Sequence, residues 1–511
     1  MVKRGAMEGT QIRVSPGPPV ARSRPPDPCT IVIFGVTGDL THRKLVPALY
    51  NLAKEGDLPE KFAVIGTSTS VTSAEEFRAQ LQESVSKFSR TRPLDESVWK
   101  AFAARIDTCV ADVNKPDDYT KLCGVIEEVE RREGLSGNRL YYLAVPPGVF
   151  PVILRNLRAA GLLHPTGAAR WSRVVIEKPF GRDLASAHEL NRTVAEVIDE
   201  SQIFRSDHYL GKETVQNILV FRFGNSIFEP IWNRKYIDHV QITMAEDITV
   251  ERRGKFYDAT GVLRDVVQSH LLQVLALCTM EAPATFKADD IRDEKFKLLR
   301  SIRPITTAEV AQDVVAAQYR GYRDTEGVAK ESRTPTYVAL KLAIDNWRWQ
   351  GVPIYVRAGK GLAARNTEVS IHFQAIPFCL FGNEEVCQRI EPNVLALRIQ
   401  PREGIALSFG CKVPGEDLSV GSVTMDFSYA DSFHRAPWEA YERLLLDAMR
   451  GDHTLFARRD GDEQAWSFVS PILEAWDARR EPLPEYEPGS AGPREADQLL
   501  RRDGRRWRPL T

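Results

Sequence analysis

"CTIVIFGVTGDLTHRKLVPALYNLAKEG", residues 29–56, changes its hydrophobic period halfway along. Ile31 to Phe34 is a continuous apolar run of strand length, the pattern of a parallel strand buried on both faces. Gly35 and Gly38 interrupt it. From Leu40 onward Leu45, Leu49 and Leu52 recur at helical spacing until Gly56 offers a stop. Strand, glycine turn and helix in that order make a mononucleotide-binding βα unit. The glycines let the backbone approach a pyrophosphate, and the helix N-terminus presents free N–H groups and the positive end of its dipole. The spacing here is G-x-x-G-D-L rather than G-x-G-x-x-G, and two glycines alone also suit an ordinary turn. The order of the elements is what favours a dinucleotide.

Three further buried strands follow: Phe62 to Ile65, ending at Gly66, then "RLYYLAVPPGVF" (139–150) and "RVVIEKPFG" (173–181). Ligands of a parallel sheet bind beyond the carboxyl ends of its strands, so Tyr142, Pro146, Lys178 and Pro179 are expected on one crevice. The Lys178–Pro179 bond can be cis in such a turn. At the end of the second strand an acidic residue would select NAD and an arginine NADP. Neither is present: the chain has Thr67, Ser68, Thr69 and Ser70.

The chain has 511 residues, too many for one ordinary core, so two or three domains are expected. With 68 basic and 69 acidic residues the net charge is −1, which argues against a surface built to coat nucleic acid. No run of about 18 apolar residues occurs, so no membrane span is expected. The seven cysteines are scattered without a C-x-x-C pair, so neither a disulfide framework nor a metal site is expected, and a reducing cytoplasm fits. Residues 1–28, rich in Arg and Pro without an apolar core, read as a disordered tail.

Past residue 206 the pattern changes. "KYIDHVQITMAE", "TYVALKLAI", "WQGVPIYVRAG", "TEVSIHFQAI", "NVLALRIQP", "GIALSFGCKV" and "GSVTMDFSY" read as strands, several of them alternating as half-buried antiparallel strands do. Helices are expected at 261–280 and in "APWEAYERLLLDAMRGD". The fold class is therefore an α/β Rossmann-like domain (29–206) followed by an α+β domain with a large, mainly antiparallel sheet (207–511). The open face of that sheet offers a dimer surface.

Val262, Val266, His270 and Val274 fall on one helical stripe. A histidine there is either a satisfied core residue or a catalytic base, because a base also wants partial desolvation and an acidic partner. Asp207 and Asp265 are the candidate partners, the latter five residues away and so on a neighbouring helix face. Lys212, Lys360 and Arg365 recur at strand ends; converging, they would suit a phosphate dianion, and singly each reads as a solvated charge.

"GVTGDLTHRKLVPAL", "RLYYLAVPP", "IEKPFGRDL", "DHYLGKETVQN", "LRDVVQSHLLQ", "NWRWQGVPIYVRAGK" and "QPREGI" occur in an order that resembles the glucose-6-phosphate dehydrogenase family over residues 29 to 509. The resemblance implies oxidation of D-glucose 6-phosphate at C1 to 6-phospho-D-glucono-1,5-lactone, the first step of the oxidative pentose phosphate pathway, with hydride passing to NADP and no metal. It implies His270 as base and Asp207 as its orienting partner. His208, Tyr209 and Lys212 would hold phosphate, and Lys178, Glu246, Asp265, Lys360 and Arg365 the rest of the sugar phosphate. Gly35, Thr37, Gly38, Asp39, Leu40, Lys44, Thr69, Tyr142 and Lys178 fall at cofactor positions. A homodimer or homotetramer is implied too, and Arg357 is compatible with the second, structural NADP that some members carry.

Two positions depart from the family. Thr69 stands where an Arg commonly grips the 2′-phosphate of NADP, which predicts relaxed NADP preference or real NAD activity unless Arg43 or Lys44 compensates. Ser206 replaces an aliphatic residue before Asp207, with little expected effect. The competing readings are a related oxidoreductase acting on an unphosphorylated sugar, which would not need His208, Lys212, Lys360 and Arg365 together, and an inactive dinucleotide sensor, which could lose His270 and Asp207.

Overall fold

The computed structural model describes residues 25–70, 73–381, 387, 390–416, 419–433 and 437–510. Residues 1–24 of the expected tail lie outside them. The first sheet holds β1 (Cys29–Phe34), β2 (Phe62–Ser68), β3 (Ile106–Val110), β4 (Arg139–Leu143), β5 (Ser172–Glu177) and β6 (Ile203–Ser206) in the order β3-β2-β1-β4-β5-β6. Every pairing in it is parallel. β1 and β4 are buried along their whole length, which is why they read as unbroken apolar runs. The order reverses at β1, so the crevice beyond β1 and β4 is the place such a sheet offers a dinucleotide.

The second sheet is mixed. It holds β7 (Ile237–Ala245), β8 (Val314–Tyr319), β9 (Tyr337–Leu342), β10 (Ile354–Gly359), β11 (Asn366–Phe373), β12 (Val394–Gln400), β13 (Gly404–Lys412), β14 (Val420–Ser428) and β15 (Glu485–Tyr486), in the order β14-β13-β12-β11-β7-β10-β9-β8-β15. The β7–β10 and β8–β15 pairs are parallel and the others antiparallel. The seven strands expected from the sequence are all present; β8 and β15 were not legible. The alternation expected of half-buried strands fails at the centre, where β10 is buried throughout and β7 nearly so. The C-terminal segment explains this by running over the otherwise open face: Gln241 Nε2 donates to Arg506 O at 2.9 Å, and Arg505 forks onto Asp238 at 2.8 and 2.9 Å. Among the described residues the sheet opens to solvent at β14, with Val423 at 41% and Met425 at 58%, and partly at neighbouring β13.

The helix expected at 261–280 is three pieces. Gly261 breaks it at φ 67°, Leu263–Leu271 is a π-helix, and Leu272–Thr279 is α-helical. The cysteine expectation is also corrected: Cys379 and Cys387 form a disulfide, their Cα atoms 5.8 Å apart. They lie between β11 and β12, eight residues apart in sequence, a pairing that the absence of C-x-x-C spacing cannot reveal. Among the described residues no helix is long and apolar enough to cross a membrane.

Candidate active site

β6 ends at Ser206, and the chain turns at once through Asp207, His208 and Tyr209 into the helix Glu213–Phe223. The turn is held by Asp207, whose Oδ1 accepts the Tyr209 N–H at 2.9 Å. The same oxygen lies 2.5 Å from His270 Nδ1, and both side chains are 5% exposed. Beside an ionised carboxylate Nδ1 must carry the proton, which leaves Nε2 as a proton acceptor. Burial lowers the His270 pKa and Lys178 pushes the same way, against Asp207. Burial would raise Asp207, but its hydrogen bond from His270 and the Lys178 charge hold it well below the usual carboxylate range. The resting pair is therefore neutral imidazole and carboxylate, the state a general base requires.

Asp265 is not the imidazole's partner. The π-helix winds more loosely than an α-helix, so five residues make little more than one turn and Asp265 comes to the His270 side. There it binds Lys178, whose Nζ donates to Asp265 Oδ1 at 2.9 Å and to its carbonyl at 2.5 Å. The Lys178–Pro179 bond is cis. Lys360 Nζ donates to Glu246 Oε2 at 2.6 Å, and both Lys178 and Lys360 act on the Asp265 charge.

The phosphate candidates form a second cluster. Lys212 Nζ and Arg365 both donate to Gln400 Oε1, at 2.8 and 3.1 Å, while Gln400 Nε2 donates to the Tyr209 hydroxyl at 3.2 Å and to Thr367 Oγ1 at 3.0 Å. Burial lowers the Lys212 pKa and the neighbouring Arg365 lowers it further. Two cations meeting on one neutral oxygen retain most of their charge for an anion. Gln400 was missed as a site residue, although it begins the "QPREGI" block. Tyr209 faces His270 ring to ring at 4.4 Å, and His208 stands edge-on to the same imidazole at 4.5 Å.

At the dinucleotide end Gly35 has φ +80°, and a Cβ there would lie 2.4 Å from Ala144 O. Its carbonyl accepts from the Gly38 N–H at 2.9 Å, closing a turn that fits a pyrophosphate approaching the backbone, ahead of Asp39 and Leu40. Thr37 Oγ1 and Ser68 Oγ are 3.1 Å apart, and Ser68 is in turn 3.1 Å from Ser70 Oγ, so β1 and β2 end in a row of hydroxyls beside exposed Thr69. Lys44 and Arg43 both have carboxylate partners: Lys44 Nζ is 3.1 Å from Glu439 Oε2, and Arg43 is 3.7 Å from Asp39 and lies over the Phe88 ring. Tyr142 is buried with its hydroxyl on Glu177, whose carboxyl burial pushes up to about 7; sequence reasoning missed Glu177 although it is part of "IEKPFG". Arg357 is buried under the chain's own C-terminus, bonded to Thr243 Oγ1 at 3.0 Å and Arg508 O at 2.6 Å with Trp507 over its guanidinium.

Residues 32–217 match the family profile "Glucose-6-phosphate dehydrogenase, NAD binding domain", and residues 219–508 match its C-terminal domain. The chain is 48% identical to glucose-6-phosphate 1-dehydrogenase of Chlamydia pneumoniae over 94% of its own length and 96% of the relative's. It is 43% identical to glucose-6-phosphate 1-dehydrogenase 2 of Mycobacterium bovis over 94% of each. The crystal structure of the Mycobacterium avium enzyme superposes with a TM-score of 0.80 at 39% identity, covering 95% of this chain and 99% of that one. A glucose-6-phosphate dehydrogenase in complex with glucose-6-phosphate superposes at 0.85 with 34% identity, covering 95% of this chain and all of that one. With its glycine turn, its imidazole–carboxylate pair and near full-length likeness to these proteins, the chain belongs to the glucose-6-phosphate dehydrogenase family.

Proposed function

We propose that the protein oxidises the C1 hydroxyl of D-glucose 6-phosphate to 6-phospho-D-glucono-1,5-lactone, with a nicotinamide dinucleotide as hydride acceptor. The observation that carries this is the buried 2.5 Å contact of His270 with Asp207, around which Lys178 on Asp265, Lys360 on Glu246, and Lys212 and Arg365 on Gln400 are gathered. In this reading Lys212, Arg365, His208 and Tyr209 take the phosphate, and the Lys178–Asp265 and Lys360–Glu246 pairs fix sugar hydroxyls. His270 Nε2 takes the C1 hydroxyl proton. Asp207 stabilises the imidazolium as it forms. The bound dinucleotide supplies the hydride-accepting ring; the residues suited to hold it are Gly35, Thr37, Gly38, Asp39, Leu40 and Tyr142. Comparing glucose 6-phosphate with glucose as substrate tests the reading, and equal kcat/KM for the two would refute it.

The cofactor reading is relaxed preference. Thr69 cannot make the charge-assisted bond to a 2′-phosphate, worth roughly 1.5–3 kcal/mol or one to two powers of ten in affinity. Arg43 and Lys44 are each paired with an exposed carboxylate, Asp39 and Glu439, and a 2′-phosphate would have to draw them from those partners. Thr69→Arg should raise the NADP-over-NAD ratio of kcat/KM by about ten- to a hundredfold. A wild-type ratio above several hundred would contradict the reading. The exposed face at β13 and β14 supports self-association into a homodimer or homotetramer, which sedimentation of the full chain would reveal as mass.

A further inference from the structure

The helix Arg459–Ala478 carries none of the groups assigned above, yet its first turns are fastened to three elements that do. Just before it, the Ala457 N–H donates to Arg205 O at 3.2 Å, two residues ahead of Asp207 on β6. The Arg459 N–H reaches Glu200 Oε1 at 3.1 Å, on the carboxylate that also holds the Arg205 guanidinium. Asp462 Oδ1 then accepts a buried 2.9 Å hydrogen bond from Gln268 Nε2, two residues ahead of His270 on the π-helix. Trp466 Nε1 donates to Phe180 O at 2.9 Å, two residues after Lys178. Ten residues of one segment thus touch the strand that delivers Asp207, the helix that delivers His270 and the loop that delivers Lys178.

Asp462 is the costly member of this set. It is buried, and among the described residues its second oxygen has no hydrogen-bond partner, nor has the Nε of nearby Arg205. Burial pushes its carboxyl up to about 7, against the Gln268 bond and the Arg205 charge. An apolar side chain would pack in that place without the desolvation penalty. What the carboxyl provides instead is a fixed attachment on a helix type that is rare and less well bonded than an α-helix.

We propose that Asp462 is a positioning residue for the reaction: through Gln268 it fixes the register of the π-helix and so the placement of His270 against Asp207. This rests on His270 being the base. Asp462→Leu should lower kcat about tenfold, the equivalent of one hydrogen bond at roughly 1.4 kcal/mol, with KM for glucose 6-phosphate and dinucleotide changed less than twofold. Asp462→Asn retains an acceptor for Gln268 and should recover most of that loss. Gln268→Leu should lose the same factor, and Asp462→Leu with Gln268→Leu together no more than either alone. Wild-type kcat in Asp462→Leu, a matching rise in KM, or losses that multiply in the double variant would each overturn the proposal. If Asp462→Leu does not fold, as read by circular dichroism, Gln268→Leu and Asp462→Asn decide by the same criteria. His270→Asn, assayed alongside, separates the two levels: wild-type turnover there removes the base assignment, whereas an inactive His270→Asn beside an unaffected Asp462→Leu overturns only the role of Asp462.

Discussion

At the scale of single residues, the chemistry depends on which protonation states burial permits. Because burial lowers the His270 pKa below its ordinary 6.5, the proposed base is already deprotonated at neutral pH. The kcat/KM profile should therefore rise with pH only below about 6.5 and be flat above it; an acid limb centred above 7 would contradict the assignment. Asp207→Asn removes the charge that favours the imidazolium and leaves Nδ1 free to exchange tautomers. Turnover should fall by roughly 10²–10⁴ with substrate affinity largely kept, measurable by steady-state kinetics. Gln400 makes the opposite case: it orients Lys212 and Arg365 rather than the base. Gln400→Leu should raise the KM for glucose 6-phosphate about tenfold and leave kcat within a factor of about two.

At the scale of elements, the glycine turn and the π-helix each require a backbone that ordinary residues resist. Gly35 sits at φ +80°, where any side chain is strained by about 1–2 kcal/mol, and a Cβ there would also press on Ala144 O at 2.4 Å. Gly35→Ala should lower the urea midpoint and weaken dinucleotide binding at least tenfold by fluorescence titration; unchanged affinity would show that the turn does not meet the pyrophosphate. The π-helix explains why the sequence left two partners open for His270. Counted at 3.6 residues per turn, Asp265 points away from the histidine; wound with i→i+5 bonds, it comes round to the same side and takes Lys178. Nothing in the local residue types announces that change of winding.

At the scale of the whole molecule, buried titratable groups pull stability in opposite directions. His453, stacked on Phe204 at 3.9 Å, is lowered to about 4 by burial, so between about 4 and 6.5 the unfolded chain binds more protons there and stability falls as pH falls. Asp462 and Glu177 are raised to about 7 by burial, so there the folded chain holds the extra protons and stability falls as pH rises from about 4 toward 7. The informative quantity is a difference between proteins. His453→Gln should remove an acid-side slope of up to roughly 1.4 kcal/mol per pH unit, read by urea unfolding at pH 5 and 7. Parallel wild-type and variant curves would mean that His453 is solvated in the folded state.

Residue order determined the two domain types, because period and strand–turn–helix succession are local properties and β1 to β2 carry them openly. It also singled out the candidates for a base, its carboxylate partner and the cations, since these stand in contiguous motifs. The tertiary structure decided which of them meet: Asp207 rather than Asp265 on His270, Lys212 and Arg365 on the amide of Gln400, Lys44 and Arg43 with acidic partners, and Arg357 under the chain's own tail. It alone revealed that β7 and β10 are covered on both faces and that Cys379 finds Cys387. The reason is physical: hydrophobic period constrains one element at a time. Pairing of charges is settled by distances across the fold, which depend on helix winding and on segments hundreds of residues apart.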